Sequence, residues 1–262
     1  MFDPQCNGCW AFASVGAFEA RSKIATGQDI SFSEQQLIEC ATGSAGCSGG
    51  TVTSAFNYFK ASGLPLESGN PFLGTNGACP ATNKTILYTE NTSGSPFSYK
   101  AVAANSGYQM MIVSVACRCP LTALPCPCAA RAARACLPRT LRCCLPAHAS
   151  GPCSHPVLPP PSSRWLQATI SQPVVITYTV DAGFQSYKGG IYSSKTCTGA
   201  VNHAMVVVGY DYTNRFYNLR NSWGTSWGNA GYGQVYMGDD NTAGMCNMYQ
   251  AGGWYPYPIK SM

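Results

Sequence analysis

Cysteine is the residue type that most constrains how this chain can fold. The 262 residues include 15 cysteines, and eight of them lie between residues 111 and 164, together with ten of the 18 prolines. That segment has no sustained helical or strand periodicity, so we expect it to be irregular. The chain is therefore predicted to consist of residues 1–110, an irregular segment 111–164, and residues 165–262.

The cysteine content also predicts where the protein is found. Fifteen cysteines are unusual for a cytosolic enzyme and indicate an oxidising compartment, either lysosome- or vacuole-like or secreted. The chain begins Met1-Phe2-Asp3-Pro4, without the basic and apolar regions of a signal peptide, and we interpret this start as a truncation. No run of 18 apolar residues predicts a membrane span.

The net charge of +5 comes from the irregular segment, which contains six arginines and no acidic residue or lysine. Without it, 10 Lys plus Arg stand against 11 Asp plus Glu, a net charge of −1. We therefore expect neither nucleic acid nor a membrane as a partner, and we expect a monomer.

The first part is predicted to be mainly helical. The residues from Trp10 onward are mostly good helix formers, and Gly27 is the stop signal. Ser33 has the signature of a helix N-cap, and this second helix is predicted to end near Cys40. A third helix is predicted to end at Gly63 and to bury one apolar face, which comprises Val52, Ala55, Phe56 and Phe59.

The last part is predicted to be mainly β-sheet. A buried strand follows Pro173, and further β-rich runs are F-Q-S-Y-K-G-G-I-Y at 184–192, A-M-V-V-V-G-Y at 204–210, R-F-Y-N-L-R at 215–220 and G-Y-G-Q-V-Y-M at 231–237.

Cys9 is a candidate nucleophile. It lies in Q-C-N-G-C-W-A-F, residues 5–12, on the first turn of the first predicted helix. Unpaired backbone N–H groups and the helix dipole at that position lower a thiol pKa and favour the thiolate. The alternative is a buried apolar residue or half of a disulfide.

His203 is the only histidine outside residues 111–164, in V-N-H-A-M-V-V-V-G-Y at the head of an apolar strand. An imidazole that titrates near neutrality suits the base of a thiol nucleophile. The alternative is a core histidine. Asn221 and Trp223 follow in N-S-W-G-T-S-W-G-N-A-G-Y-G, and a side-chain amide can accept one imidazole N–H without competing for the proton.

Three motifs together resemble the papain-like cysteine proteases: C-x-x-C-W-A-F, C-x-x-x-x-x-H-A and N-S-W-G-x-x-W-G-x-x-G-Y. The resemblance implies an α+β fold of two domains, helical and then β-barrel-like, with the active-site cleft between them. It implies hydrolysis of peptide bonds in a peptide or protein substrate through a thioester acyl-enzyme, with no cofactor and no metal. Its catalytic residues would be Cys9, His203 and Asn221, with Trp223 shielding the hydrogen bond between the last two.

The spacing of these motifs indicates that residues 111–164 are foreign to the domain. His203 and Asn221 lie 194 and 212 residues after Cys9, and without the 54 intervening residues of the segment the separations become 140 and 158. In the family, the catalytic His and Asn lie about 130–150 residues after the catalytic Cys. We interpret the segment as an insertion, with the hypothesis that it is an unspliced intron translated in frame. A metal-binding module is the alternative, since C-x-C pairs, His148 and His155 lie there.

The resemblance also implies three disulfides among the seven cysteines outside the insertion. Cys9 is left over, and an odd cysteine in a secreted protein suits a reactive thiol. The implied pairs are Cys6–Cys47, Cys40–Cys79 and Cys197–Cys246.

Asp3 departs from the family pattern, because it stands where the family has the glutamine that donates to the oxyanion. An ionised carboxylate only accepts hydrogen bonds. This leaves a catalytically impaired homologue that binds peptides or partners as the alternative function. Cys47 is not followed by an insertion with paired histidines, which favours an endopeptidase. The implied substrate-binding residues are Gly49, Gly50, Val52, Thr177, Val201, Ala204, Trp223 and Ala251.

Overall fold

The computed structural model describes residues 6–80, 98–102, 104, 173–239 and 242–257. Asp3 and the whole predicted insertion 111–164 lie outside these ranges. All described residues belong to one compact unit. Within the described part, no helix is both long and apolar enough to cross a membrane.

Three helices follow one another in the first part: α1 at Cys9–Thr26, α2 at Glu34–Cys40 and α3 at Val52–Ser62. Gly27 ends α1 in the left-handed conformation, with φ 76°, because a glycine has no Cβ to oppose it. The hydroxyl of Ser33 caps α2 by accepting the backbone N–H of Gln36 at 3.0 Å. The predicted apolar face of α3 is confirmed, since Val52, Ala55, Phe56 and Phe59 are all buried.

The strands of the described residues form one seven-stranded sheet in the order β1-β7-β2-β4-β5-β6-β3. All neighbours are antiparallel except β3 and β6, which are parallel. With this strand order the sheet is open, and β1 and β3 are its edges. The resemblance implied a barrel-like domain instead. The predicted α+β fold is confirmed. The strands are β1 Ser98–Val102, β2 Val174–Tyr178, β3 Ile191–Tyr192, β4 His203–Asp211, β5 Phe216–Arg220, β6 Tyr232–Tyr236 and β7 Gly253–Tyr257.

The β-rich prediction for residues 184–192 is wrong over its first part. Residues Ala182–Gln185 form a short helix, α4, and only Ile191–Tyr192 are strand. The carboxylate of Asp181 caps α4 by accepting the backbone N–H of Phe184 at 2.9 Å. This side-chain cap gives the backbone a partner that a strand would have to find in a neighbouring chain segment.

The sheet is buried on two faces because its strands alternate. Along β2 and β4, Val175, Ala204 and Val206 pack into one core with the three helices. Val174, Ile176 and Met205 point into a second core on the other face. The first core places α1 against β4, so the sequence-distant segments that contain Cys9 and His203 pack against each other.

The three disulfides of the described residues are the pairs that the resemblance implies: Cys6–Cys47, Cys40–Cys79 and Cys197–Cys246. The first two lie within the helical part and the third joins two loops of the β-rich part. Each closes a loop of about 40 to 50 residues, which reduces the entropy of the unfolded chain. Helix α1 and the sheet are therefore held to each other by packing and polar contacts and not by any of these bonds.

Candidate active site

Cys9 is the first residue of α1, and its surroundings are fixed by the segment around Cys47. The backbone N–H of Asn7 donates to the carbonyl of Cys47 at 2.9 Å, alongside the Cys6–Cys47 disulfide. The indole of Trp10 donates to the carbonyl of Gly46 at 3.2 Å. These contacts anchor the residues on both sides of Cys9 and hold the start of α1 in place.

Cys9 is partly buried and is the one free cysteine among the described residues. Burial raises the pKa of its thiol, and hydrogen bonds from the backbone amides of Ala204, Trp10 and Cys9 itself oppose this with a smaller lowering effect. The sequence-based expectation of a lowered pKa is therefore wrong for the isolated thiol, because loss of water outweighs the favourable field at the helix start. The contact with Ala204 brings the sulfur next to the head of β4.

His203 is the first residue of β4, and its ring is held by Asn221. Nε2 of His203 lies 2.8 Å from Oδ1 of Asn221, and that oxygen also accepts the backbone N–H of Ser222 at 2.8 Å. If the Asn221 side chain were flipped, its Nδ2 donor would face the N–H donor of Ser222. The contact with Ser222 therefore determines the orientation of the Asn221 side chain. Because Oδ1 can only accept, Nε2 is the protonated nitrogen, and Nδ1 of His203 is then available as a base.

The imidazole of His203 is buried beneath Trp223. The two ring centroids are 4.8 Å apart with an interplanar angle of 31°, and His203 is only 8% exposed. Burial lowers the pKa of His203 to about 4, and the hydrogen bond to Asn221 opposes this with a smaller raising effect. The ring is therefore neutral at pH 7 and able to accept a proton.

Besides Trp223, four of the predicted substrate-binding residues lie near these groups. Gly50 packs directly against Trp10, since a Cβ there would approach the indole within 2.6 Å. Val52 and Ala204 are buried in the same core as Trp10, with Cys9 packed against it. Thr177 is the antiparallel partner of Ala204 across β2 and β4.

The remaining predicted residues are placed less closely. Gly49 precedes Gly50 and has φ 119°, and Val201 lies in the loop just before His203. Ala251 lies in the turn just before β7. These three are assigned to substrate binding by the resemblance alone. Asp3 lies outside the described residues, so its oxyanion position stays a prediction.

Sequence reasoning missed two backbone contacts of the site, that of Ser222 with Asn221 and that of Ala204 with Cys9, because any residue type supplies an N–H. It predicted Ala204 only as a substrate-binding residue. It also missed Arg220, which directly precedes Asn221 and could have been noticed from that position. No group of three or more His, Cys, Asp or Glu that could hold a metal ion occurs among the residues that the structure describes.

The chain matches the family model described as papain family cysteine protease over residues 3–122 and 157–252. It is 30% identical over 256 residues to Mexicain of Jacaratia mexicana, with 97% of this chain and 89% of the relative covered. It is 28% identical to Cathepsin K of Mus musculus, covering 93% of this chain and 57% of that protein. A crystal structure of a cysteine protease from Carica candamarcensis in complex with E-64 is similar, with TM-score 0.68, 26% identity and coverage of 98% and 91%.

Proposed function

We propose that Cys9, His203 and Asn221 are the catalytic residues of this chain, which belongs to the papain family of cysteine proteases and is a cysteine-type endopeptidase. The observation that carries the proposal is the 2.8 Å contact between Nε2 of His203 and Oδ1 of Asn221. It leaves Nδ1 as the basic nitrogen. The thiol of Cys9 lies beside the backbone of Ala204, the residue next to His203.

The reaction begins with transfer of the thiol proton of Cys9 to Nδ1 of His203. Burial disfavours either charge alone, but the transfer creates a thiolate and an imidazolium together, and each stabilises the other. The sulfur forms a bond to the scissile carbonyl carbon, and the imidazolium gives its proton to the leaving amine as the C–N bond breaks. Water then hydrolyses the thioester, with His203 taking a proton from the water and returning it to the sulfur.

The oxyanion would be stabilised by the backbone N–H of Cys9 and by the side chain at position 3, which is Asp3. An ionised Asp3 would repel the developing charge, whereas a protonated Asp3 could donate a hydrogen bond at acidic pH. Asp3→Gln should then raise kcat at neutral pH by about 10²-fold, the effect of one oxyanion donor. A parent enzyme with its maximum rate at neutral pH would contradict the role of a protonated Asp3.

The substrate is proposed to be an extended peptide that lies along Gly49 and Gly50. The mostly small and apolar residues Val52, Thr177, Val201, Ala204 and Ala251 would form a medium-sized apolar pocket beside it, and Trp223 would cover the hydrogen bond behind the imidazole. The E-64 complex of the relative from Carica candamarcensis supports a ligand-accepting cleft in this fold. A peptide library screened for cleavage at internal peptide bonds tests both the side-chain preference of the pocket and endopeptidase action.

The protein is further proposed to act as a monomer in a lysosome- or vacuole-like compartment or outside the cell, without nucleic acid or membrane partners. The three disulfides support an oxidising compartment. Residues 111–164 are proposed to be an insertion between the helical and β-rich parts. The family match omits residues 123–156, which supports an insertion in the middle of this segment, and it includes residues 111–122 and 157–164. Transcript sequencing that finds the segment in the spliced message would contradict the intron interpretation.

Alkylation of Cys9 by iodoacetamide at about pH 5 tests the catalytic assignment, because an activated thiolate reacts there and an ordinary thiol scarcely does. We expect rapid modification with parallel loss of peptidase activity, and His203→Ala should remove the reaction at pH 5 while leaving it at pH 9. Equal rates in the parent and His203→Ala would contradict the assignment. Rapid alkylation without any peptide hydrolysis would instead support the impaired homologue.

A further inference from the structure

Arg220 joins the segment that carries Asn221 to the helix that carries Cys9. It is the last residue of β5, immediately before Asn221, and its backbone is paired with Val206 of β4 and Tyr232 of β6. Its guanidinium reaches α1, where Nη1 lies 3.4 Å from Oε2 of Glu19. One side chain therefore connects the sheet to α1 close to the catalytic asparagine.

The guanidinium also lies against the backbone of α1. A Cβ built on Gly16 would approach Nη1 of Arg220 within 2.8 Å. Gly16 and Glu19 are three residues apart, on the same face of the helix. The absence of a side chain at Gly16 therefore makes room for Arg220 to reach the carboxylate.

Glu19 is itself held in position. Its other oxygen, Oε1, accepts the backbone N–H of Phe32 at 3.1 Å and lies 3.4 Å from the hydroxyl of Ser31. Its side chain is only 17% exposed, whereas Asp29, which follows the end of α1 and pairs with Lys23 of that helix, is 86% exposed. The Glu19 carboxylate thus has a fixed place in which to receive Arg220, whose own side chain is 44% exposed.

Asn221 depends on such a connection because it is not packed on all sides. A cavity of about 400 Å³ lies between α1 and the sheet, lined among others by Glu19, Glu34, Arg220, Asn221 and Ser222. Nδ2 of Asn221 has no hydrogen-bond partner among the described atoms. The position of Asn221 relative to α1 is therefore set by its backbone and by the residue next to it.

The acidic groups around Arg220 leave Glu19 as its counter-ion. Burial, followed by the nearby charges of Glu19 and Glu67, raises the pKa of Glu34 to about 8. Glu34 is thus mostly neutral at pH 7. Glu19 then supplies the carboxylate within reach of the guanidinium.

We propose that Arg220 is a positioning residue for catalysis: held by Glu19 and seated over Gly16, it fixes Asn221, and through it the imidazole of His203, relative to the nucleophile helix α1. The proposal rests on the catalytic roles of Cys9, His203 and Asn221 given above. Arg220 acts through Asn221 and does not touch the substrate.

The test variants are Arg220→Met, Arg220→Lys, Glu19→Gln and the double variant that combines Arg220→Met with Glu19→Gln. The control variants are Lys23→Gln and Asp29→Asn, which remove a matched ion pair. Removal of either member of the Arg220–Glu19 pair should lower kcat about 10-fold, since small misplacements of catalytic groups are costly. KM should change less than about twofold, because substrate contacts are kept. The double variant should lose no more than Arg220→Met alone, because both changes remove one contact.

Two further variants separate positioning from folding. Arg220→Lys keeps the charge and should recover most of kcat, and Gly16→Ala should lower kcat by displacing the guanidinium while alanine favours the helix. Melting temperatures are measured on every variant. If the variants of Arg220 and Glu19 lower the melting temperature while kcat stays within about twofold of the parent, the pair is only structural and the proposal is overturned.

Alkylation at pH 5 distinguishes this result from failure of the catalytic assignment. If the parent itself shows no reactive thiolate, the assignment of Cys9 and His203 is wrong, and the proposal fails with it. A reactive parent whose Arg220→Met variant is alkylated more slowly at pH 5, with the Lys23→Gln and Asp29→Asn variants unchanged, supports the proposal. A reactive parent with unchanged alkylation and kcat in all variants overturns it alone.

Discussion

Oδ1 of Asn221 accepts hydrogen bonds from Nε2 of His203 and from the backbone N–H of Ser222, both at 2.8 Å. A single amide oxygen therefore determines both the tautomer and the orientation of the imidazole. The contact at position 222 does not depend on the type of side chain there, because it is made by the backbone N–H. His203 can thus be a base only at Nδ1.

Asn221→Ala should lower kcat about 10- to 100-fold with little change in KM, because the ring loses its fixed orientation while the cleft is unchanged. Steady-state kinetics on a fluorogenic peptide measures this. Asn218→Ala is the control, since Asn218 lies on β5, the strand that directly precedes Asn221, and its Oδ1 receives only a 3.5 Å contact from Gln234. Equal kcat values for the two variants would show that Asn221 does not orient the base.

The contribution of His203 to the free energy of unfolding should fall as the pH is lowered from about 6.5 to about 4. His203 has its pKa lowered to about 4 in the folded protein, so the unfolded chain binds a proton in this window and the folded one does not. The loss attributable to His203 is roughly 3 kcal/mol. Urea unfolding at a series of pH values should show it as a fall in the stability of the parent relative to His203→Gln between pH 6.5 and pH 4, and parallel curves would contradict it.

Glu34→Gln should stabilise the protein at pH 8 and have little effect near pH 4. The pKa of Glu34 is raised to about 8, so between about 4.5 and 8 the unfolded chain gives up a proton that the folded protein keeps, and stability falls as the pH rises. Because Glu34 lines a cavity that water can enter, we expect a gain of about 2 kcal/mol at most. Denaturant melts at both pH values measure it, with the exposed Asp29→Asn as the control.

Gly50→Ala should destabilise the protein by about 1–3 kcal/mol, the usual effect of overpacking, and lower kcat. The added methyl group would approach the ring of Trp10 within 2.6 Å, and Trp10 is the neighbour of Cys9. Gly69→Ala is the matched control, because a Cβ there has no atom within 4 Å. The melting temperature and kcat should both fall in Gly50→Ala, and both should be unchanged in Gly69→Ala.

The local elements could be predicted because their signals are local. Gly27 ends α1 and Ser33 caps α2 through atoms within four residues of themselves. The start of segment 184–192 was assigned to a strand because its aromatic and apolar residues suit one, although the N-cap Asp181, three residues before Phe184, is as local a helix signal as Ser33. The site motifs were recognisable from residue types, but not the contacts between them.

The sequence by itself determined the family, the ends of the three main helices, the β-rich runs that contain β2, β4, β5 and β6 and the residue types of the catalytic set, because these follow from short-range preferences and from motifs. It did not predict β1 or β7. Only the tertiary structure decided which nitrogen of His203 is protonated, why the Cys9 thiol is harder to ionise by itself, and that Arg220 reaches Glu19. The physical reason is that burial, and with it the strength of every charge and hydrogen bond, depends on segments far apart in the chain. Cys9 and His203 are 194 residues apart in sequence, and the segments that contain them come together only when α1 packs against β4.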